Sequence, residues 1–223
     1  MRSFASDNNS GVHPLVMDAL QRANEDHALG YGSDKWTDEA VAMLKESFTP
    51  ACESLFVFNG TGSNIVALQL MVRPFHSIIC AETAHIYVDE CGSPVKNTGA
   101  QIRPVLTPDG KLTPELIRPY LHGFGDQHHS QPGAIYLSQC TELGTVYTPG
   151  ELKALTSLAH EHGMYVHMDG ARIANACAYL KTSLKEITAD CGIDVLSFGG
   201  TKNGLMMGEC VVIFNEELKA SAA

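Results

Sequence analysis

Residues 165–172 read Tyr-Val-His-Met-Asp-Gly-Ala-Arg, a short strand-like run that ends in an acid and passes into a glycine turn. Ligands of parallel sheets lie beyond the carboxyl ends of the strands, so Asp169 stands where a functional acid is expected. A second explanation is that Asp169 caps the helix that follows, because Asp is a preferred N-cap residue. The stretch predicts a buried parallel strand whose terminal carboxylate is either functional or capping.

The same pattern of a short apolar run bounded by Gly, Pro or polar residues occurs in six other places. Longer helical patterns separate the runs, and this alternation is typical of stacked β-α-β units. The sequence therefore predicts a three-layer α/β/α fold around one mainly parallel seven-stranded sheet. Its predicted strands are Ser54–Phe58, Ser77–Cys80, Ile102–Val105, Ala134–Ser138, Tyr165–Asp169, Val195–Gly199 and Cys210–Phe214.

Helix start signals lie between several of these runs. The strongest is Thr148-Pro149-Gly150-Glu151, a capping box with Pro at the first helical position, and the helix should run to about His162 and end at Gly163. Weaker signals of the same kind predict helix starts at His13-Pro14, Thr113-Pro114 and, from acidic residues in a first turn, Thr37-Asp38-Glu39.

Composition excludes several classes of protein. The chain has 223 residues, of which 44% are hydrophobic and 18% charged, as in an ordinary globular protein. The formal net charge of -10 disfavours binding to nucleic acid or to anionic lipid. No apolar run is long enough to span a bilayer, and residues 1–9 lack a signal peptide pattern. We therefore expect a cytoplasmic protein that binds neither nucleic acid nor membranes.

Two further strand ends carry residues suited to chemistry. After the first strand comes Asn59-Gly60-Thr61-Gly62-Ser63-Asn64, where the free N–H groups of a helix start could hold a phosphate. After the sixth strand comes Gly199-Gly200-Thr201-Lys202, which places a lysine at the same edge of the sheet. Glycine is also needed for turn geometry alone, and lysines are common on surfaces. An anion cradle, an acid and a lysine at one edge nevertheless indicate a single site.

Pyridoxal phosphate requires this set of groups: an anion site for its phosphate, a carboxylate for its ring nitrogen and a lysine for a Schiff base. On these residues the chain resembles the large domain of the L-threonine aldolase family, low-specificity type, among the aspartate-aminotransferase-like enzymes of fold type I. The matching stretches are residues 6–8, 30–32, 59–62, 84–86, 89–92, 167–172 and 200–203, and together they extend along nearly the whole chain.

The resemblance implies how the cofactor would be held. Lys202 would form the Schiff base, Asp169 would pair with the pyridinium nitrogen, and Thr201 would add a phosphate contact. The phosphate itself would be held by Gly60, Thr61 and Gly62.

The resemblance also implies the groups that act on the substrate. His85 would stack on the cofactor ring and act on the substrate hydroxyl, since imidazole has a pKa near operating pH; the alternative is an ordinary capping or loop histidine. Glu90 would position the imidazole or a water. Arg172 would contact the ring hydroxyl or, with Ser6, the substrate carboxylate, a planar group that suits a guanidinium.

The activity implied is retro-aldol cleavage of L-threonine or L-allo-threonine to glycine and acetaldehyde, without a metal. Two alternatives remain open: a pyridoxal-phosphate-dependent β-eliminating amino-acid lyase, and a truncated, non-catalytic subunit of the same fold. The domain prediction is an N-terminal arm at 1–12 and a cofactor-binding large domain at 13–223, with the family's small C-terminal domain missing. By the same resemblance we expect a homodimer or homotetramer.

Overall fold

The computed structural model describes residues 3–222, so the outer limits of the predicted arm and large domain, residues 1–2 and 223, lie outside the described part. Within this range the strands are β1 (Glu53–Val57), β2 (His76–Ala81), β3 (Gln101–Val105), β4 (Gln131–Ser138), β5 (Tyr165–Gly170), β6 (Val195–Gly199) and β7 (Glu209–Ile213). The helices are α1 (Pro14–Ala23), α2 (Lys35–Ser47), α3 (Gly60–Met71), α4 (His85–Val88), α5 (Ser93–Thr98), α6 (Pro114–Ile117), α7 (Pro149–Glu161), α8 (Ile173–Leu180) and α9 (Glu216–Lys219). Short 3-10 turns lie at Asp7–Asn9, Arg118–Tyr120, Ala189–Cys191 and Thr201–Asn203.

All seven strands belong to one sheet with the order β1-β7-β6-β5-β4-β2-β3. β7 is antiparallel to both of its neighbours, β1 and β6, and the remaining pairs are parallel. The mainly parallel seven-stranded sheet is therefore confirmed. Because β1 and β6 are both antiparallel to β7, they point the same way as β5, and the carboxyl ends of all three meet at one edge.

Helices cover both faces of this sheet, which confirms the three-layer fold. Val166 and Met168 of β5 belong to a core cluster that includes residues of α7 and α8. Tyr165 packs against a second cluster on the opposite face, which contains residues of α3. Side chains alternate between faces along a strand, so His167 and Asp169 lie on the α3 face. This alternation determines which polar groups meet in the site.

The predicted strand limits differ from the observed ones by zero to three residues. β6 has the predicted limits, whereas β1 and β7 each begin and end one residue earlier than predicted. The largest difference is in β4, which begins at Gln131 because its first residues pair with His76 and Ser77 across an irregular register. Gly133 permits this pairing, since a Cβ there would lie 2.6 Å from the ring Cγ of His76.

The helix signals are confirmed with one change of boundary. α7 has the predicted capping box, in which Thr148 and Glu151 exchange hydrogen bonds. α2 begins before the predicted acidic stretch, because the Asp34 carboxylate accepts the N–H groups of Trp36 and Thr37 and so caps the helix earlier. None of the helices described between residues 3 and 222 combines the length and apolar character needed to cross a membrane.

Candidate active site

A cavity of about 350 Å³ opens at the edge where β1, β5 and β6 end. The chain contributes to it from the first turn of α3, from α4, from the ends of β5 and β6, and from the start of β7. Its lining residues are Asn8, Asn59, Gly60, Thr61, Asn64, His85, Asp169, Ala171, Ser197, Thr201, Lys202 and Glu209. The three features that the sequence placed at one sheet edge therefore share one cavity.

Asp169 is held by three hydrogen bonds at the end of β5. Its Oδ2 accepts from the Tyr136 hydroxyl at 2.7 Å and from Asn64 Nδ2 at 3.1 Å, while its Oδ1 accepts the Ala171 N–H at 2.9 Å. Burial alone would raise the pKa of Asp169, but these hydrogen bonds together lower it below its ordinary value. The site thus holds a fixed carboxylate that stays ionised.

The alternative of a helix cap for Asp169 is wrong. The helix that follows β5 begins at Ile173 with Arg172 as its N-cap residue. The only backbone N–H described as donating to the Asp169 carboxylate is that of Ala171, in the turn before the helix. Asp169 therefore accepts a backbone hydrogen bond within the turn and faces the cavity, and it does not cap α8.

His85 and Glu90 form a pair beside the cavity. His85 Nδ1 lies 2.8 Å from Glu90 Oε1, and Glu90 is only 3% exposed. The hydrogen bond that the ring donates to Glu90 raises the pKa of His85 above its ordinary value, despite partial burial of the ring. The N-cap residue of α4 is Ala84, and His85 is the first residue of the helix, so the alternative of a capping histidine is not supported. The pair leaves Nε2 of the imidazole as the nitrogen available to a ligand.

The first turn of α3, which was predicted to hold an anion, presents free N–H groups to the cavity, but not all those that the sequence suggested. Asn59 Oδ1 caps the helix by accepting the Gly62 N–H at 2.8 Å, so this N–H is already used. The N–H groups of Gly60 and Thr61 donate to no group within residues 3–222, and both residues line the cavity. A helix N-terminus with two free N–H groups favours an anion. The N–H groups available to an anion are therefore those of Gly60 and Thr61, while that of Gly62 is bonded to Asn59.

Lys202 lies on the 3-10 turn after β6 and lines the cavity beside Thr201. The end of β6 that leads into this turn packs closely on the residue after β5, since a Cβ on Gly199 would lie 2.6 Å from the Cα of Ala171. Within the described range Lys202 makes no salt bridge. Its amine is therefore not committed to a neighbouring carboxylate.

Glu209 is a site residue that the sequence did not indicate. It begins β7, lines the cavity, and accepts the N–H of Gly200 at 3.1 Å and that of Thr201 at 3.4 Å. Burial raises the pKa of this carboxyl. Glu209 thereby fixes the turn that carries Lys202.

Arg172 and Ser6 do not line the cavity. Arg172 makes a two-point ion pair with Asp7, with Nε at 2.6 Å and a terminal nitrogen at 3.1 Å from the carboxylate oxygens. This pairing lowers the pKa of Asp7. Ser6 instead caps the short turn at 7–9 by accepting the N–H of Asn8. Asn8 is therefore the arm residue that reaches the cavity.

Asn64 and Tyr136 are further site residues that the sequence analysis missed as functional. Strand alternation was the available signal, because Tyr136, His167, Asp169 and Ser197 occupy positions of β4, β5 and β6 that face α3. Across residues 3–222 no three His, Cys, Asp or Glu side chains are grouped closely enough to hold a metal ion.

Comparison with known proteins agrees with this geometry. The profile of the family described as "Beta-eliminating lyase" matches residues 3–222. The chain belongs to the β-eliminating lyase family. Within this family it is similar to the low specificity L-threonine aldolase of Pseudomonas aeruginosa, with 45% identity over 218 residues, 97% of this chain and 63% of the relative. The resemblance found in the sequence is thus confirmed.

Solved structures agree with the membership of the β-eliminating lyase family. The threonine aldolase of Leishmania major superimposes with a TM-score of 0.92 and 34% identity, covering 100% of this chain and 65% of that one. An alanine–glyoxylate aminotransferase from Nostoc sp. superimposes with a TM-score of 0.69 at 16% identity, covering 96% of this chain and 54% of that one, which shows a shared fold only. The chain therefore spans a little under two thirds of the length of its aldolase relatives.

Proposed function

We propose that this chain binds pyridoxal 5'-phosphate in the cavity and cleaves L-threonine or L-allo-threonine into glycine and acetaldehyde. The observation that carries the proposal is the His85–Glu90 pair, whose imidazole lines the same cavity as Lys202 and Asp169, with the buried Glu90 carboxylate behind it. The names of the similar proteins from P. aeruginosa and L. major support the same reaction.

The residues present fit this cofactor. The two free N–H groups of Gly60 and Thr61 suit its phosphate, with Thr201 beside them in the lining. Asp169 is an ionised, immobile carboxylate that would hold the ring nitrogen protonated. Lys202 has an amine free of carboxylate partners among the described residues and would attach the cofactor as a Schiff base. When bound, pyridoxal phosphate supplies the electron sink for breaking the Cα–Cβ bond.

His85 is the base in this proposal. Glu90 engages Nδ1, so Nε2 takes the proton from the β-hydroxyl of the substrate. The buried carboxylate of Glu90 makes the imidazole a stronger base and fixes its ring. Only the neutral ring can accept a proton, so the reaction should slow as the pH falls below the raised pKa of His85.

Arg172 and Ser6 keep their proposed part in binding the substrate carboxylate, with a condition set by Asp7. The guanidinium is already paired with the Asp7 carboxylate, which engages Nε and the terminal nitrogen Nη2. A substrate carboxylate would therefore compete with Asp7 for Arg172.

Self-association and a cytoplasmic location also belong to the proposal. Large apolar side chains of the N-terminal region, including Phe4, Leu29 and Tyr31, are exposed, which supports a homodimer or homotetramer. Light scattering on the purified protein and fractionation of the source cells test these two points.

The experiment uses the purified protein loaded with pyridoxal phosphate. Borohydride should fix a pyridoxyl group on the peptide that contains Lys202, and a label on another lysine, or none, contradicts the site. Acetaldehyde release from L-threonine should vanish in Lys202→Ala and fall by about 100-fold or more in His85→Asn. Pyruvate formed from serine instead of acetaldehyde from threonine supports the β-eliminating alternative. Cofactor binding without any turnover supports a non-catalytic subunit.

A further inference from the structure

The side-chain amide of Asn64 lies between the two acidic groups of the site. Its Nδ2 is 2.8 Å from Glu90 Oε1 and 3.1 Å from Asp169 Oδ2, and its Oδ1 accepts the Ser197 hydroxyl at 2.9 Å. Asn64 is 1% exposed, so this arrangement is buried. Both amide protons therefore go to carboxylates that belong to different parts of the proposed mechanism.

The hydrogen-bond network fixes the orientation of this amide. Ser197 Oγ lies 3.0 Å from His167 Nε2, and it also accepts the Ser63 hydroxyl at 2.8 Å. Since the single proton of the Ser197 hydroxyl goes to Asn64 Oδ1, its oxygen can only accept from His167, and Nε2 of that ring must carry the proton. A flipped amide would face two carboxylates with its oxygen and a hydroxyl with its NH2 group. The NH2 group of Asn64 must therefore point at Glu90 and Asp169.

We propose that Asn64 is the positioning residue that couples the base of the site to its cofactor anchor, by donating one N–H to Glu90 and the other to Asp169. His85, Glu90, Asn64 and Asp169 then form one continuous hydrogen-bonded chain. The roles of His85 as base and of Asp169 as cofactor anchor rest on the proposed function. The hydrogen bonds that couple these two residues are contacts within the protein and do not depend on it.

Glu90 depends strongly on this contact. Its Oε1 accepts from both His85 and Asn64, while its buried Oε2 has no partner within the described structure. Removing Asn64 would leave His85 as the donor that compensates the Glu90 charge, and the imidazole would hold its proton more tightly.

The other charged groups around His85 do not replace Asn64. The ring is also influenced by Asp169, whose charge raises its pKa, and by Lys202, whose charge lowers it. Glu142 accepts the backbone N–H of His85 at 3.0 Å and donates no proton to Glu90. Within residues 3–222, Asn64 is the uncharged donor shared by the two carboxylates.

The first test measures the pKa of His85 by NMR titration, in the protein with and without pyridoxal phosphate, with His85→Asn to assign the signal. In Asn64→Ala we expect this pKa to rise by roughly half a unit, because Glu90 loses a donor. Thr156→Ala is the control for the loss of a buried hydrogen bond, since Thr156 is 3% exposed and its hydroxyl donates to the Cys191 carbonyl, away from the cavity lining. Its His85 pKa should equal that of the unmodified protein.

The second test uses a substitution that, unlike alanine, leaves no empty space where the Asn64 side chain was. Asn64→Asp keeps the shape but adds a third carboxylate to Glu90 and Asp169, and three close acids cannot all ionise. Its loss of thermal stability should therefore be larger at high pH than at low pH. In an active protein, kcat/KM should fall by on the order of tenfold or more in either variant, and its acid limb should move to higher pH.

An unchanged His85 pKa in Asn64→Ala, together with a pH-independent stability loss in Asn64→Asp, overturns the coupling. A shifted pKa in a protein that does not cleave threonine supports the coupling and contradicts the proposed function instead. The two inferences can thus fail separately.

Discussion

The carboxylate of Glu209 offers a quantitative test of how the lysine turn is held. Glu209 accepts the N–H groups of Gly200 and Thr201, the two residues that precede Lys202, at 3.1 and 3.4 Å. Glu209→Gln keeps the size of the side chain. It removes the charge and places an NH2 group against one of the two N–H donors. The turn should loosen and hold Lys202 less well against the cofactor.

The magnitude follows from the two contacts. A hydrogen bond to a charged group contributes about 1.5–3 kcal/mol, and the 3.4 Å contact belongs at the weak end of that range. Losing one such bond and leaving one donor unpaired costs about 2 kcal/mol in the turn. If this cost falls on the bound state, pyridoxal phosphate should dissociate with a Kd about 25-fold higher, since 1.4 kcal/mol is a factor of ten. Loss of a negative charge from a cavity that is proposed to bind a phosphate acts in the opposite direction.

The assay is a titration of the protein with pyridoxal phosphate, followed by the visible absorbance of the Schiff base. Glu161→Gln is the matched control, because Glu161 is an exposed acid at the end of α7, away from the cavity lining. A folded Glu209→Gln protein that binds the cofactor as tightly as the control, or more tightly, refutes the reasoning. Tighter binding would mean that charge repulsion outweighs the support of the turn.

Three further predictions concern stability, cofactor binding and pH. Gly199→Ala should lower the free energy of unfolding by about 3 kcal/mol or more, since the new Cβ would lie 2.6 Å from backbone. Gly150→Ala, which has open space around it in α7, should raise the free energy of unfolding by about 0.5–1 kcal/mol. Urea denaturation measures both changes. Tyr136→Phe removes a buried donor to the β5 carboxylate and should weaken cofactor binding about tenfold or more, measured by the same absorbance titration. The acid limb of the kcat/KM profile should lie above the ordinary imidazole pKa, because Glu90 raises the pKa of His85, and Glu90→Gln should move that limb to lower pH.

Local signals predicted most of the sheet and the cofactor end of the site. A short apolar run followed by glycine marks a strand end without any tertiary knowledge, and parallel strands bring their carboxyl ends together. For this reason Lys202, Asp169 and the start of α3 could be assigned to one edge, and they line one cavity in the structure. His85 joins them there, as the family resemblance implied.

The remaining site residues depend on contacts between distant parts of the chain. Asp7 and Arg172 are 165 positions apart, and no local pattern indicates that the acid occupies the guanidinium. Gly62 illustrates a different limit: its N–H goes to the cap residue Asn59, and only the geometry of the helix start shows which N–H groups stay free. The residue types of a motif thus indicate an anion site. The hydrogen bonds within its turn decide which N–H groups are available to the anion.

The two histidines near the site show how environment, more than residue type, assigns chemistry. His167 stands inside the most recognisable motif, yet complete burial lowers its pKa to about 4, so its ring stays neutral at operating pH. It serves as a fixed donor to Ser197, which in turn fixes the Asn64 amide. His85 lies on a short helix outside any strand, and a buried carboxylate raises its pKa instead. The pKa values of the two histidines thus shift in opposite directions. His167 stays neutral and holds the hydrogen-bond network of the site, whereas His85 is the histidine suited to accept a proton.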